Sequence, residues 1–230
     1  MFKDILVIIP AREGSKGIQG KNYKLLGKKP LIQYSLEVAR ELTTIDNICV
    51  STDSSTIIKL AEELGYKIPF VRPSFLATDT ATTYDVIMHA IEFYEHQGKN
   101  YDYIILLQPT SPFRKTWQIQ EMIDLWTPGI DMIVSVKMAK ANPYYNLFEE
   151  NTEGFLRKSK EGNFFRRQDC PVVYEYNGAI YLISTESLRR MNISGFSRVK
   201  KYIMDEQSSI DLDTELDWKF AEFLLTNENI

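Results

Sequence analysis

The sequence predicts an α/β fold: a mostly parallel open sheet with helices on both faces. Two apolar runs, Ile-Leu-Val-Ile-Ile at 5–9 and Tyr-Ile-Ile-Leu-Leu at 103–107, lack the alternation of a strand with one wet face and read as strands buried on both. Each run ends in a polar, proline-containing loop, and segments with helical period lie between the strands. Strands that alternate with helices at this spacing are joined by crossovers, which make their pairing parallel.

Taken in order, the first strand is stopped by Pro10, which has no ladder donor. Leu31, Tyr34, Ser35, Val38, Ala39 and Leu42 then recur at helical spacing behind Pro30. Residues 47–51 read as a strand, 55–64 as a helix closed by Gly65, and 68–71 as another short strand. Thr82 and Asp85 form a capping-box pattern for a helix running to about Gln97. The strand at 103–107 runs straight into Gln108-Pro-Thr-Ser-Pro-Phe-Arg114, a rigid polar loop in which Gln108 is expected to face a crevice. A helix over 116–126 and a strand over 132–136 follow. Periodicity weakens over 137–171, which reads as an insertion within a single domain spanning 1–230. Residues 172–183 return to strand, with Asn177-Gly178 marking either a hairpin turn or a bulge at a close ligand approach. Thr214 and Asp217 cap a last helix whose Leu216, Phe220, Phe223 and Leu224 are expected to face the core.

Composition narrows the function. Of 230 residues 44% are hydrophobic and 25% charged, with a net charge of −4, so any anion site must be a local concentration of cations. A general role on nucleic acid or a membrane surface is disfavoured, and no apolar stretch approaches the ~18 residues that span a bilayer. Two cysteines fit a reducing compartment, and with no leader pattern the expected location is the cytoplasm. His89 and His96 fall on a helix without metal-ligand company.

The local concentration of cations follows the first strand. Gly14, Gly17 and Gly20 let backbone amides approach a ligand, while Arg12, Lys16 and Lys21 bring positive charge. The spacing is neither a Walker A loop nor a dinucleotide fingerprint, and a solvated surface loop is the plain alternative. Near the other end, Asp211 and Asp213 alternate around Leu212, which in an extended segment puts both carboxylates on one side. Taken alone, they are more simply explained as an acidic helix start favoured by the macrodipole than as a metal pair. Thr82 and Thr83 serve either as caps alone or as caps with a ligand role, and Arg114 by itself reads equally as a solvated helix-start residue.

Ile-Ile-Pro-Ala-Arg-Glu-Gly-Ser-Lys-Gly-x-x-Gly-Lys-Asn at 8–22, with Lys-Lys-Pro-Leu-Ile soon after, resembles the opening of the CMP-N-acylneuraminate synthetases and their CMP-legionaminate relatives. Leu-Leu-Gln-Pro-Thr-Ser-Pro-x-Arg, Arg-Gln-Asp-x-Pro, Asn-Gly-Ala-Ile-Tyr and Asp-x-Asp-Thr-x-x-Asp extend the likeness along the chain. The resemblance implies a Rossmann-like nucleotidyltransferase that couples CTP to a nonulosonic acid with Mg²⁺, as a homodimer whose 137–171 arm reaches over the partner's site. It implies that Arg12, Ser15, Lys16 and Lys21 serve the phosphates, Asn22 the ribose or base, and Arg72 the cytosine. Thr82, Thr83, Gln108, Arg167, Asn177 and Tyr181 fall to the sugar side, Arg167 pairing with its carboxylate. Asp211 and Asp213 would hold Mg²⁺, and with Arg12 and Lys16 they form the expected catalytic set. One departure is Glu175, where many sialate-activating members carry Arg; a carboxylate cannot take over that contact, which points to a sialate analogue. A CMP-Kdo synthetase and a metal-dependent nucleotide-sugar glycosyltransferase are the competing enzyme readings.

Overall fold

A computed structural model describes residues 4–14 and 17–227. Its centre is a six-stranded sheet in the order β10-β6-β9-β5-β1-β4. The strands are β1 (Ile5–Pro10), β4 (Ile48–Ser51), β5 (Tyr103–Leu107), β6 (Met132–Met138), β9 (Tyr174–Ser184) and β10 (Val199–Ile203). β1 pairs in parallel with β4 and β5, and β10 with β6, while β9 runs antiparallel between β5 and β6. The sheet is therefore mostly parallel, as the continuous apolar runs require.

Helices α1 (Leu31–Leu42), α2 (Ser55–Glu63) and α4 (Thr116–Asp124) cover one face, burying Leu36, Ile57 and Ile119 against Val7, Ile9, Ile105 and Leu107. The other face carries α3 (Thr83–His96) and α5 (Thr185–Arg190), whose Ile87, Ile91 and Leu188 pack on Leu6, Ile8, Leu106 and Val134. Alternation along each strand sends successive side chains to the two cores. The short hairpin of β2 (Leu25–Leu26) and β3 (Lys29–Pro30) and the last helix, α6 (Glu215–Thr226), enclose a third cluster. There Ile18 of the first loop meets Leu212, Phe113 and Trp218, which draws the two ends of the chain together.

Two expectations need correction, and one left open is decided. Residues 68–71 do not form a strand: Pro69 and Pro73 remove donors, and a single bridge, Thr52 to Val71, remains. In α6, Leu216, Phe220 and Phe223 are exposed, because the helix turns Trp218 and Ala221 inward; the indole commits the largest apolar area, and Leu224 packs beside it. Of the two readings open for Asn177-Gly178, the bulge is the one that forms. Val134 opposes Tyr181 and Val136 opposes Tyr176, so the intervening residues of β9 loop out against Ser135, with Gly178 at φ +73°. Within 137–171, β7 (Phe148–Glu150) and β8 (Leu156–Lys158) form a separate exposed two-stranded hairpin.

Candidate active site

The carboxyl ends of β1, β4 and β5 share one edge of the sheet, the place where an open α/β sheet takes a ligand. Leaving β1, Ala11 still donates to Ser51 O at 2.9 Å. Arg12 then reaches across the edge, donating to Asp79 Oδ1 at 2.8 Å and to Ala77 O at 3.4 Å. The amide of Glu13 donates to Asp53 Oδ1 at 3.0 Å, and Asn22 Nδ2 returns to Arg12 O at 3.0 Å. The loop is thus folded back on itself, with Gly20 at φ +63° making the turn. Ser15 and Lys16 lie outside the described residues.

Lys21 is buried, and its ammonium donates to Leu212 O at 2.7 Å and to Asp213 Oδ1 at 3.1 Å. Leu212 N in turn donates to Thr110 O at 2.9 Å. Residues 211–213 are therefore wedged between the first loop and the loop after β5. Asp211 Oδ1 is buried without a hydrogen bond. Burial pushes the Asp211 carboxyl above its ordinary range, and the charge of Asp213 adds to this against the Thr110 hydroxyl and Lys21.

Two adjoining clefts share Pro10, Arg12 and Gln108. One, about 270 Å³, is lined by Gly17, Lys21, Asn22, Thr110 and Asp213. The other, about 240 Å³, is lined by Arg72, Asp79, Thr82 and Thr83. Arg72 donates through Nε to Ser51 Oγ at 3.0 Å and through Nη2 to Ser51 O, and burial lowers its pKa to about 10. Thr82 is both cleft wall and helix cap, its hydroxyl donating to Asp85 Oδ2 at 2.7 Å. Tyr181 is half-buried; burial raises its hydroxyl pKa, and the nearby carboxylate of Asp211 adds to the effect. A larger hollow of about 650 Å³ between α1 and the start of α4 holds none of the expected substrate or metal residues.

The structure thus gathers Arg12, Lys21, Asn22, Arg72, Thr82, Thr83, Gln108 and Asp213 along one edge, with Asp211 and Tyr181 next to it. Three placements differ from expectation. Asn177 is buried: its Oδ1 accepts from Ser135 Oγ at 2.6 Å, and its Nδ2 donates to Ser209 Oγ at 2.9 Å. It fills the bulge in β9 and has no polar atom left for a sugar in this conformation. Arg167 is exposed on the arm and lines neither cleft. Arg114 is buried, not solvated. Sequence reasoning missed Asp53 and Asp79, the two carboxylates that hold the first loop; the only signal for Asp53 was its place just past a strand's carboxyl end.

A divalent cation fits the donor set. Asp211 offers an orphaned buried oxygen and Asp213 a carboxylate at the cleft, held for now by an ammonium. No third His, Cys, Asp or Glu joins them among the described residues, so the other ligands would be water and phosphate oxygens, as Mg²⁺ prefers.

Comparison with known proteins identifies the family. Residues 6–230 match the family model described as "Cytidylyltransferase". The chain is 34% identical to "Post-translational flagellin modification protein B" of Campylobacter coli, covering 100% of this chain and 98% of that one. It is 32% identical to "CMP-N,N'-diacetyllegionaminic acid synthase" of Campylobacter jejuni, over 99% and 97% of the two chains. Among solved structures, that of CMP:2-keto-3-deoxy-manno-octonic acid synthetase complexed with CTP superposes with a TM-score of 0.70 at 18% identity, covering 98% of this chain and 100% of that one, a likeness of fold. With the family match running from the first strand to the last residue, over the same loop and carboxylate segment that meet at the sheet edge, the chain belongs to the cytidylyltransferase family, enzymes of the nucleotidyltransferase class.

Proposed function

We propose that the chain transfers the cytidylyl group of CTP to the C2 hydroxyl of a nonulosonic acid, of the diacetyllegionaminate or N-acetylneuraminate type, with release of pyrophosphate. The observation that carries this reading is the meeting of a cationic glycine loop and an aspartate pair in one cleft, joined by Lys21 and Asp213 at 3.1 Å. A triphosphate needs both cations and a divalent ion, and here opposite ends of the chain supply the groups for each. The likeness to a CMP-diacetyllegionaminate synthase supports a sialate analogue. Glu175 pairs with Lys137 across the strands at 3.3 Å and offers no cation to the sugar, which a sialate analogue lacking that contact allows.

In this reading CTP lies along residues 12–22. Arg12, Ser15, Lys16 and Lys21 face the phosphates, Asn22 holds the Arg12 carbonyl that shapes the loop beside the ribose, and Arg72 closes the base end. Thr82, Thr83, Gln108 and Tyr181 line the sugar side. The C2 oxygen attacks the α-phosphorus in line; the bond to the bridging α–β oxygen breaks, pyrophosphate leaves, and the hydroxyl proton passes to solvent. Mg²⁺ held by Asp211 and Asp213 would draw charge from the α-phosphate and acidify the attacking hydroxyl. Arg12 and Lys16 offset the charge that grows on the leaving group. The enzyme is proposed to work as a cytoplasmic homodimer, consistent with free thiols at Cys49 and Cys170.

The test is pyrophosphate release from CTP and Mg²⁺ with diacetyllegionaminate, N-acetylneuraminate and Kdo in parallel. The expected result is metal-dependent release with a nonulosonate, diacetyllegionaminate preferred. Release with Kdo alone, or none with any of the three, would overturn the substrate assignment.

A further inference from the structure

Arg114 is 2% exposed, and among the described residues no carboxylate lies within ion-pair distance of it. Placing a cation in the interior without a partner carries a large desolvation penalty, so a fold keeps one only where its hydrogen bonds are needed. Its guanidinium reaches three acceptors: Gln108 O and Ser111 O through Nη2, the latter at 2.6 Å, and Ser35 Oγ of α1 through Nη1 at 2.9 Å. The first two are the outer carbonyls of the turn after β5, which Ser111 N closes onto Gln108 O at 3.3 Å. Between them, Thr110 O accepts Leu212 N at 2.9 Å. One side chain therefore fastens α1 to the turn that carries Gln108, and that turn carries the aspartate segment.

We propose that Arg114 is a positioning residue for cytidylyl transfer: a buried brace that fixes Gln108 and residues 211–213 relative to each other across the cleft. It touches neither cleft's contents. The guanidinium fork divides the task between two nitrogens, Nη1 on Ser35 and Nη2 on the turn, whereas an ammonium gathers its donors on one shorter-reaching atom. Burial lowers the Arg114 pKa to about 9, with Asp211 offsetting part of that, so the brace stays charged at neutral pH. In the proposed reading CTP is held by the first loop and Arg72, which the brace does not contact. Loosening it should therefore misalign the reacting groups while leaving nucleotide binding nearly intact.

The inference rests on the cytidylyl-transfer reading, and its test separates the two. Arg114→Lys and the milder Ser35→Ala are compared with the parental enzyme by steady-state kinetics and by hydrogen exchange. For Arg114→Lys, kcat is expected to fall about 30-fold while KM for CTP stays within about threefold, the pattern of lost alignment. Ser35→Ala is expected to lower kcat about threefold. Both should speed exchange in peptides spanning 108–113 and 210–213 and leave β1 and α3 unchanged. Should Arg114→Lys not fold, Ser35→Ala carries the test alone. Unchanged exchange in both peptides, or kcat within twofold of parental for the folded variants, would overturn the brace. Local exchange responding in an enzyme that turns over none of the sugar acids would uphold the brace and indict the substrate reading instead.

Discussion

A methyl group at position 17 would sit 2.0 Å from the Asp213 carbonyl oxygen, a distance no carbon tolerates. The left-handed backbone that usually explains a loop glycine is not the reason here, since Gly17 is absent from the positive-φ set; space is. Ile18, one residue on, is packed against Leu212, so the loop and the aspartate segment cannot part without opening an apolar cluster. Gly17→Ala must therefore move the loop and residues 211–213 apart by about an ångström or more. Displacement on that scale is expected to lower kcat/KM about 100-fold. Thermal stability should fall as well, because Ile18 and Leu212 belong to one buried cluster that the shift opens. Steady-state kinetics beside a melting curve checks this: activity within a few-fold of parental would mean that the segment need not sit where it does. Lys21 shows why single residues were only partly legible. A lysine in a glycine-rich loop reads as a phosphate ligand; beside that cleft its ammonium also bonds Leu212 O and Asp213, a partner 192 positions away that loop spacing could not reveal. Asn177 misled for the opposite reason: its neighbours Gly178 and Tyr181 reach the site, while its own amide is spent closing the bulge.

At the level of elements, β6 starts on a carboxylate that ties three pieces of chain. Asp131 accepts from Ser187 Oγ of α5 at 2.7 Å and from the amides of Arg198 at 2.9 Å and Ser197 at 3.3 Å, just before β10. The Ser187 hydrogen bond, outweighing the cost of burial and joined by the two amides and Arg190, holds its pKa below the ordinary carboxylate value. A depressed folded-state pKa means that the network stabilises fully above the unfolded value near 4 and loses that contribution as pH falls through the folded value. Asp131→Asn is expected to cost about 2–4 kcal/mol at neutral pH, since three donors lose a buried anion. That deficit should shrink as pH drops below about 4. Urea melts of both proteins at pH 7 and pH 3.5 measure it; a deficit independent of pH would remove ionisation from the account. Asp131 itself gave no sign in the sequence, whereas most of the elements it joins did. Buried runs and helical period found β1, β5 and α1 to α4, and the capping boxes at Thr82–Asp85 and Thr214–Asp217 form as the pattern implied. Reading failed where two patterns competed: prolines against an apolar run at 68–71, and two apolar stripes on α6, of which the one with Trp218 went inside.

For the whole molecule, the question is whether one chain makes a complete site. The arm leaves Phe148, Phe155, Leu156 and Phe165 exposed, Phe165 at 90%, four large apolar side chains on one segment without cover in the monomer. Arg167 stands on that arm, exposed and outside both clefts, so the cation expected for the sugar carboxylate is missing from the site of its own chain. The proposed homodimer accounts for both features: each arm would cover its partner and deliver Arg167 in trans. Phe165→Glu should then shift sedimentation toward the monomer and raise KM for the sugar acid, by about tenfold or more, with KM for CTP little changed. A sharper test separates trans from cis. Arg167→Ala and Asp211→Ala should each be nearly inactive, every site of one lacking the sugar cation and every site of the other lacking the aspartate. Mixed in equal amounts and allowed to exchange subunits, half the dimers become heterodimers. Each of these holds one site built from an intact Asp211 on one chain and an intact Arg167 from the other, so activity should recover to about one quarter of parental. If Arg167 acted on its own chain's cleft, every site in the mixture would lack one residue or the other, and mixing would restore nothing.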